Sequence, residues 1–436
     1  MRELDYSRLR ERLYTEQLDN GLTVFLAPKP GYQQVFATFT THYGSIDSVF
    51  RVGDEAPAAV PDGIAHFLEH KMFESPQGDV FNEFAKNGAA ANAFTTFDQT
   101  TYLFSCTENA KENMQVLLDF VQEPYFTDEN VEKEKGIIGQ EIRMYDDNPE
   151  WRSFFGLLRG LYQQHPVRID IAGTVESIAK IDKETLYRCY RTFYHPSNMM
   201  LFCAGGFDPK EMMDVIRSNQ AKKSFGPAPD IERIYPEEPS EAGERKSVAA
   251  LSVSQPRCLI GWKDANTGLT GQDLLAQEML TGVILDVLFG RSSPLYHRWI
   301  DEGLIDQQFT WEYELTPSYG YSLVGGNTAD PDRLIAEVND ALARAAAEGL
   351  PEEAFHRGRK KAMGRFVGSL DSPNFIARSF SSYYFKGVDL FDTVEVLESL
   401  TLQQANERLR AHFIPRQQAV SIVLPKAVDA PAEKGR

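Results

Sequence analysis

Cysteine is scarce in this sequence, and long apolar runs are missing. The four cysteines among 436 residues form no CxxC pair and lie in segments that read as apolar helix or strand: Cys106, Cys189, Cys203 and Cys258. This usage favours buried free thiols in a reducing compartment over a disulfide framework. The first 20 residues alternate charges where a signal peptide needs an apolar stretch, and no run approaches the length of a membrane span. We therefore expect a cytoplasmic protein.

Positive charge is also in short supply. The sequence has 45 Lys and Arg residues against 63 Asp and Glu, which gives a net charge of -18. Such a surface repels phosphate backbones and anionic lipid headgroups at long range, so neither nucleic acid nor a membrane is an expected partner. Hydrophobic residues make up 42% of the chain, enough to build packed cores. The length exceeds what one core usually serves and predicts two or more domains.

The order of strand and helix signals predicts an α+β fold. The Asn20-Gly21 turn leads into two runs rich in β-branched and aromatic residues, 22–28 and 35–45. A helical pattern follows from Asp62 to Asn87, then a strand candidate over 91–106 and two helix candidates over 108–124 and 128–149. Strands and helices mix without strict βαβ alternation, which is typical of α+β domains.

An internal repeat divides the chain. An offset of 219 aligns Thr-Val-Glu at 174–176 with Thr-Val-Glu at 393–395, and the ungapped register continues through Pro196 and Pro415 into two apolar stretches. Chance identity is the alternative. Residues 225–246 between the halves are rich in Pro, Gly and charge, as linkers are. The prediction is two similar domains, 1–225 and 246–436, each with a mixed or antiparallel sheet flanked by helices and joined by a linker over 226–245.

Two histidines four residues apart form the first candidate site. Residues at i and i+4 share one face of a helix, so His66 and His70 can bind the same metal ion. Glu69 lies on that side too and can hold a metal-bound water and take its proton. This HxxEH order is typical of one class of zinc peptidase, the inverzincins. A solvated surface helix is the alternative, but the apolar flanks favour burial and hence a functional reason for the polar trio.

A third ligand is available on the predicted helix 128–149. Glu134 and Glu141 are seven residues apart and so share a face. Two histidines plus one carboxylate leave an open coordination position, as a catalytic zinc site requires, and the other carboxylate would support the site from behind. Spacing alone does not choose between Glu134 and Glu141, and a solvated acidic face is the alternative for both.

These motifs together resemble the pitrilysin/insulinase family of zinc metallopeptidases. The resemblance rests on residues 66–70 (HFLEH), 88–102 and 131–149, and extends over nearly the whole chain. It implies that the first domain is the metal-bearing peptidase domain. It further implies one Zn²⁺ held by two histidines and a glutamate, a general base, an auxiliary carboxylate, and a substrate-binding edge strand. Carried over to this sequence, the zinc ligands are His66, His70 and Glu141, and the general base is Glu69. The auxiliary carboxylate is Glu134, and the substrate-binding edge strand contains Asn92, Ala93 and Phe94.

The second half departs from the family pattern in two places. At an offset of 218, residues 284–288 replace HFLEH with Ile-Leu-Asp-Val-Leu, so we expect one metal site per chain and an inactive second domain. Ile300 and Asp306 stand where the family has an arginine and a tyrosine that grip substrate. The chain thus resembles the metal-bearing subunit of two-chain bacterial enzymes. This implies a heterodimer with a related chain that lacks HxxEH and carries the arginine and tyrosine; a second copy of this chain is the alternative.

The function expected from this resemblance is hydrolysis of unstructured peptides, such as leader or precursor peptides, by a zinc endopeptidase. The peptides would be cleaved inside a chamber formed with the partner chain. Two alternatives are a non-catalytic structural or processing-complex subunit of the same fold and a regulatory metal-binding protein. All expected ligands and the base are present, which favours the enzyme.

Overall fold

Two β-sheets organise residues 1–426, the part of the chain that the computed structural model describes. The strands are β1 (Arg2–Tyr6), β2 (Glu11–Gln17), β3 (Thr23–Pro28), β4 (Val35–Thr41), β5 (Val49–Val52), β6 (Ala58–Ala59), β7 (Glu74–Ser75), β8 (Gly78–Asp79), β9 (Ala90–Thr95), β10 (Thr100–Cys106), β11 (Met199–Gly205), β12 (Ile231–Arg233), β13 (Lys246–Leu251), β14 (Arg257–Lys263), β15 (Thr310–Leu315), β16 (Gly320–Asn327) and β17 (Gln418–Pro425).

The helices cover the faces of these sheets. They are α1 (Ile64–Met72), α2 (Phe81–Lys86), α3 (Ala110–Gln122), α4 (Asp128–Asp146), α5 (Pro149–Leu161), α6 (Val175–Ile178), α7 (Lys183–Phe193), α8 (Pro209–Gln220), α9 (Gly271–Phe289), α10 (Pro294–Asp301), α11 (Pro331–Glu348), α12 (Glu352–Ser369), α13 (Pro373–Tyr384), α14 (Thr393–Ser399) and α15 (Leu402–His412). None of the helices in residues 1–426 combines the length and the apolar character needed to cross a bilayer.

The two sheets share one topology. The first runs β1-β2-β3-β11-β4-β10-β9 and the second β13-β17-β14-β16-β15, so their last five strands correspond one to one. In both sheets, the strand that comes last in the half lies parallel to the first of these five strands: β11 pairs with β3, and β17 pairs with β13. The offset of 219 relates α7 to α15 and the starts of β11 and β17. The predicted α+β fold of two similar domains is confirmed.

Two predicted elements are interrupted by turns. The helical stretch predicted over 62–87 consists of α1 and α2 separated by the β7-β8 hairpin, where Pro76 and a left-handed Gly78 (φ 116°) break the helix. The strand predicted over 91–106 is the β9-β10 hairpin. Its turn is fixed by Thr96, whose hydroxyl donates to Asp98 at 3.0 Å and accepts the Gln99 N–H at 3.2 Å.

Each half covers one face of the other half's sheet. Helix α5 packs on the second sheet, and a Cβ at Gly156 would lie 2.4 Å from Ser421 Oγ, so glycine is needed for this close approach. Helix α13 packs in the same way on the first sheet, where Phe380 contacts Phe25 and Phe202 with ring centroids 4.7 Å apart in each pair. This exchange interlocks the halves and places the start of α5 beside the first half's helices.

The segment predicted as a linker is folded against both halves. Strand β12 pairs with β5 of the first half, and Glu238 accepts hydrogen bonds from the backbone N–H groups of 163–165 and from Lys263 Nζ at 2.5 Å. The domain bounds 1–225, 226–245 and 246–436 stay a prediction, and residues 427–436 lie outside the described residues. The four cysteines are buried and free, as expected.

Candidate metal centre

Helix α1 is anchored at its start by close backbone contact. Gly63, the residue before the helix, has a left-handed φ of 87°, and a Cβ there would lie 2.4 Å from the Ala172 carbonyl oxygen. The Asp62 carbonyl accepts a hydrogen bond from Ser177 Oγ at 2.8 Å. These contacts fix where α1 begins, and hence the direction in which its side chains point one and two turns later.

Helix α4 supplies the two carboxylates. Thr127 and Asn130 form a reciprocal capping box, with Asn130 N donating to Thr127 Oγ1 at 3.1 Å and Thr127 N donating to Asn130 Oδ1 at 2.9 Å. Since α4 packs across α1, Glu134 and Glu141 both face it. The predicted helix and the shared face of the two glutamates are therefore present.

Three predicted ligands converge between the helices. Glu141 Oε1 lies 3.7 Å from His66 Nε2, and Glu141 Oε2 lies 3.6 Å from His70 Nε2. Within residues 1–426, His66, His70 and Glu141 are the one group of three or more His, Cys, Asp or Glu residues whose ligand atoms all lie within 4.8 Å of one another. Ligands around a tetrahedral zinc ion with bonds of about 2.1 Å are about 3.4 Å apart, so the donor set and its spacing fit zinc.

Glu134 contacts the other nitrogen of His70. Its Oε1 accepts a hydrogen bond from His70 Nδ1 at 3.0 Å, which leaves Nε2 directed at Glu141. Burial raises the pKa of Glu134. The hydrogen bond from His70 and the charges of His70 and Lys71 outweigh this effect and hold the pKa below its usual range. Lys71 is fully buried, with Nζ 3.7 Å from Glu134 and 2.8 Å from Glu74. Glu134 is thus an ionised acceptor behind His70.

The two buried members of the HxxEH motif have opposite pKa shifts. Burial, assisted by the charge of His70, lowers the pKa of His66 to about 3, so its imidazole is neutral and able to donate a lone pair. Burial raises the pKa of Glu69 to about 7, against the opposing effects of Thr95 and His70. A carboxyl group with such a pKa can both take up and release a proton near neutral pH.

The predicted substrate strand borders the same cleft. Strand β9 is the outermost strand of the first sheet, and Asn92, Ala93 and Phe94 line a cleft of about 310 Å³ together with the histidines, Glu69 and Glu141. The Phe94 ring packs beneath the Arg378 guanidinium of α13, 4.7 Å from the ring centroid. Asn92 Oδ1 accepts its neighbour's backbone N–H at 2.9 Å. As the outermost strand, β9 has one edge that pairs with no other strand of the described residues.

Sequence reasoning missed three side chains that support the site. Thr95 Oγ1 donates to Glu69 Oε2 at 2.6 Å, and the Tyr145 hydroxyl donates to Glu141 Oε1 at 2.7 Å. Trp151 stacks on Tyr145 with ring centroids 4.4 Å apart. Tyr145 is one helical turn beyond Glu141, a spacing that could have revealed it. Thr95 and Trp151 reach the site through tertiary packing, so no spacing in the sequence indicates their role.

The second half has ion pairs where the first has the candidate ligands. Residues 284–288 lie on α9, where Asp286 pairs with Lys361 Nζ at 2.8 Å and Arg365 Nη1 at 3.6 Å on α12. The neighbouring Ile284 and Leu285 are buried in the second half's core. The segment that replaces HFLEH therefore offers one carboxylate, and two basic side chains engage it.

Comparison with known proteins defines the class to which this fold and site belong. Residues 45–175 match the family described as insulinase (peptidase family M16), and residues 180–362 match the peptidase M16 inactive domain. The chain belongs to the peptidase M16 family, which confirms the predicted resemblance to the pitrilysin/insulinase family.

Individual relatives cover the chain almost completely. It is 45% identical to the uncharacterized zinc protease YmfH of Bacillus subtilis, over 98% of this chain and 100% of that protein. A crystal structure of an M16-like peptidase from Alicyclobacillus acidocaldarius has 49% identity and a TM-score of 0.93, covering 97% of this chain and 99% of that one. Pitrilysin shares the fold at 14% identity and a TM-score of 0.73, with 98% of this chain matching 46% of pitrilysin.

Proposed function

We propose that this chain is a zinc-dependent endopeptidase that hydrolyses unstructured peptides. The observation that carries the proposal is the convergence of His66, His70 and Glu141 from two helices, with Glu69 beside them in one cleft. Family membership and a 45% identical relative named as a zinc protease support the same activity.

His66, His70 and Glu141 are assigned as the zinc ligands. When bound, zinc supplies Lewis-acid chemistry, since it lowers the pKa of water and polarises a peptide carbonyl. Glu134 holds the His70 ring so that Nε2 faces the ion, and Tyr145 holds Glu141. The distances from Glu141 to the two imidazoles, 3.6 and 3.7 Å, support Glu141 rather than Glu134 as the ligand.

Glu69 is assigned as the general base. It takes a proton from the attacking water and passes it to the leaving amine nitrogen as the peptide bond breaks. Thr95 donates to Oε2 and thereby fixes the carboxylate plane, so Oε1 can face the attacking water. Only 8% of the Glu69 surface is exposed, and this burial strengthens its interaction with a proton.

The substrate binds as an added strand beside β9. Backbone pairing with β9 requires an extended peptide, which a folded protein does not offer, and it reads little of the side-chain sequence. The pairing would align a peptide bond with Glu69, because Thr95, which contacts Glu69, is the last residue of β9. Leader or precursor peptides, which lack stable structure, are the narrower substrate class.

A related partner chain completes the working enzyme. The residues that line the cleft all lie between His66 and Ala172, so within residues 1–426 the second half contributes none. Ile300 is partly buried in the second core, and Asp306 accepts hydrogen bonds from Gln255 at 2.9 Å and Asn327 at 3.0 Å. Neither can replace the family's arginine or tyrosine. We propose that a chain which lacks HxxEH and carries that pair closes the cleft and forms the chamber.

The test measures zinc and cleavage separately. Zinc content of the purified chain is measured by mass spectrometry, and cleavage of fluorescence-quenched peptides is measured with and without a related chain of the proposed type. We expect about one zinc per chain, weak cleavage alone, and a large gain with the partner. Glu69→Gln should keep zinc and lose cleavage by about 10²-fold or more. Full cleavage by Glu69→Gln would refute Glu69 as the general base. Strong cleavage by the isolated chain would refute the need for a partner chain.

A further inference from the structure

A cavity separate from the metal centre lies at the junction of the two halves, where α5 faces strands β13 and β17. It has a volume of about 410 Å³, and we call it the arginine pocket because of its lining, which includes Arg152, Arg159, Arg168, Ser247 and Ser421. Arg152 and Arg159 are seven residues apart on one face of α5, and Arg168 follows the helix in a short 3-10 turn. The serines come from β13 and β17 and form its floor.

Three guanidinium groups in one pocket are unexpected in a protein with a net charge of -18. Within residues 1–426, Arg159 makes neither a hydrogen bond nor a salt bridge. Desolvation and the charges of Arg152 and Arg168 lower the pKa of Arg159, against the opposing charges of Asp170 and Asp146. In the part of the chain that the structure describes, the Arg168 side chain donates only to the Gln163 carbonyl, at 2.6 Å. Within the described residues, Arg152 is the one member of the cluster that forms a salt bridge, so Arg159 and Arg168 have no paired carboxylate.

The nearby carboxylates neutralise the cluster only in part. Asp146 pairs with Arg152 alone, at 3.2 Å. Asp170 accepts hydrogen bonds from the Trp151 indole and from the Ala172 N–H. Glu244 lines the pocket but forms no salt bridge within the described residues. An anion bound in the pocket would pair with Arg159 and Arg168, with which none of these carboxylates forms a salt bridge in the described residues.

The geometry points to a phosphate-type anion as the ligand, and we infer that the arginine pocket is a binding site for this class. Donors reach the pocket from α5, from the 3-10 turn after it and from the serine hydroxyls on its floor. A tetrahedral anion accepts hydrogen bonds from several directions at once, whereas a planar carboxylate is served by a single arginine fork. The inference does not rest on the proposed peptidase activity.

Isothermal titration calorimetry of the full chain, stripped of metal with EDTA and then dialysed, with inorganic phosphate at constant ionic strength, tests the inference. Arg159→Gln is the informative variant, because no hydrogen bond or salt bridge within the described residues is lost with it. The matched control is Arg357→Gln on α12, which removes one exposed guanidinium that likewise has no partner in residues 1–426. We expect saturable binding to the wild type and the control, and binding at least about tenfold weaker in Arg159→Gln.

Folding and ligand class are checked in the same samples. Without phosphate, Arg159→Gln should melt at the wild-type temperature or above it, since the substitution relieves repulsion. Equal phosphate affinity in the wild type and Arg159→Gln would overturn the site, as would undetectable binding to the wild type. Succinate that binds the pocket more tightly than phosphate would overturn the ligand class.

Discussion

Glu69→Gln should stabilise the fold at alkaline pH while it abolishes catalysis. Burial raises the pKa of Glu69 from 4.5 to about 7. Between these values the native state binds more protons than the unfolded chain, so stability falls as pH rises through this window. At about 1.4 kcal/mol per pH unit, the full loss above pH 7 is about 3 kcal/mol. Glutamine does not ionise, and its amide oxygen can still accept the Thr95 hydroxyl, so the variant escapes this loss.

Urea unfolding in the presence of EDTA measures this effect without a contribution from metal binding. The variant should exceed the wild type by about 3 kcal/mol at pH 8 and by less than about 1 kcal/mol at pH 5. Glu108→Gln is the control, because Glu108 is exposed and its side chain has no partner in residues 1–426; it should change stability little at either pH. A Glu69→Gln variant that is no more stable than the wild type at pH 8 would refute the buried, raised-pKa carboxyl group.

Two further substitutions test how the site is positioned. Glu134→Ala removes the acceptor for His70 Nδ1, so zinc affinity measured against a chromophoric chelator should fall about 10–100-fold; an unchanged affinity would contradict the positioning role. Gly63→Ala places a Cβ 2.4 Å from the Ala172 carbonyl at a left-handed φ, and should cost about 2–4 kcal/mol in urea unfolding. Gly136→Ala, whose Cβ would meet nothing within 4 Å, should be neutral or stabilising, and equal losses in both glycine variants would contradict this account.

The candidate site was predictable from sequence as far as local periodicity reaches. The HxxEH spacing placed His66, Glu69 and His70 on one helix face, and the seven-residue spacing placed Glu134 and Glu141 on another. Which glutamate faces which nitrogen of His70 depends on how α4 crosses α1. That crossing is set by tertiary packing, which periodicity within one helix does not encode.

The fold shows the same division between local and tertiary information. The offset of 219 predicted two similar halves because matching turns, caps and apolar strands recur in one register. It could not predict that α5 and α13 exchange sheets, because an amphipathic pattern shows that one face is buried without showing against which sheet. The segment 226–245 had a linker's composition, yet Glu238 is bonded to both halves. The sequence of such a segment does not indicate which residues a charged side chain will contact.

A crystal structure of the zinc-loaded protein, with anomalous data on both sides of the zinc absorption edge, tests the metal centre itself. We expect one zinc peak per chain, within bonding distance of His66 Nε2, His70 Nε2 and a Glu141 carboxylate oxygen, with Glu134 hydrogen-bonded behind His70. A zinc peak coordinated by Glu134 in place of Glu141, or no peak between α1 and α4, would contradict this expectation.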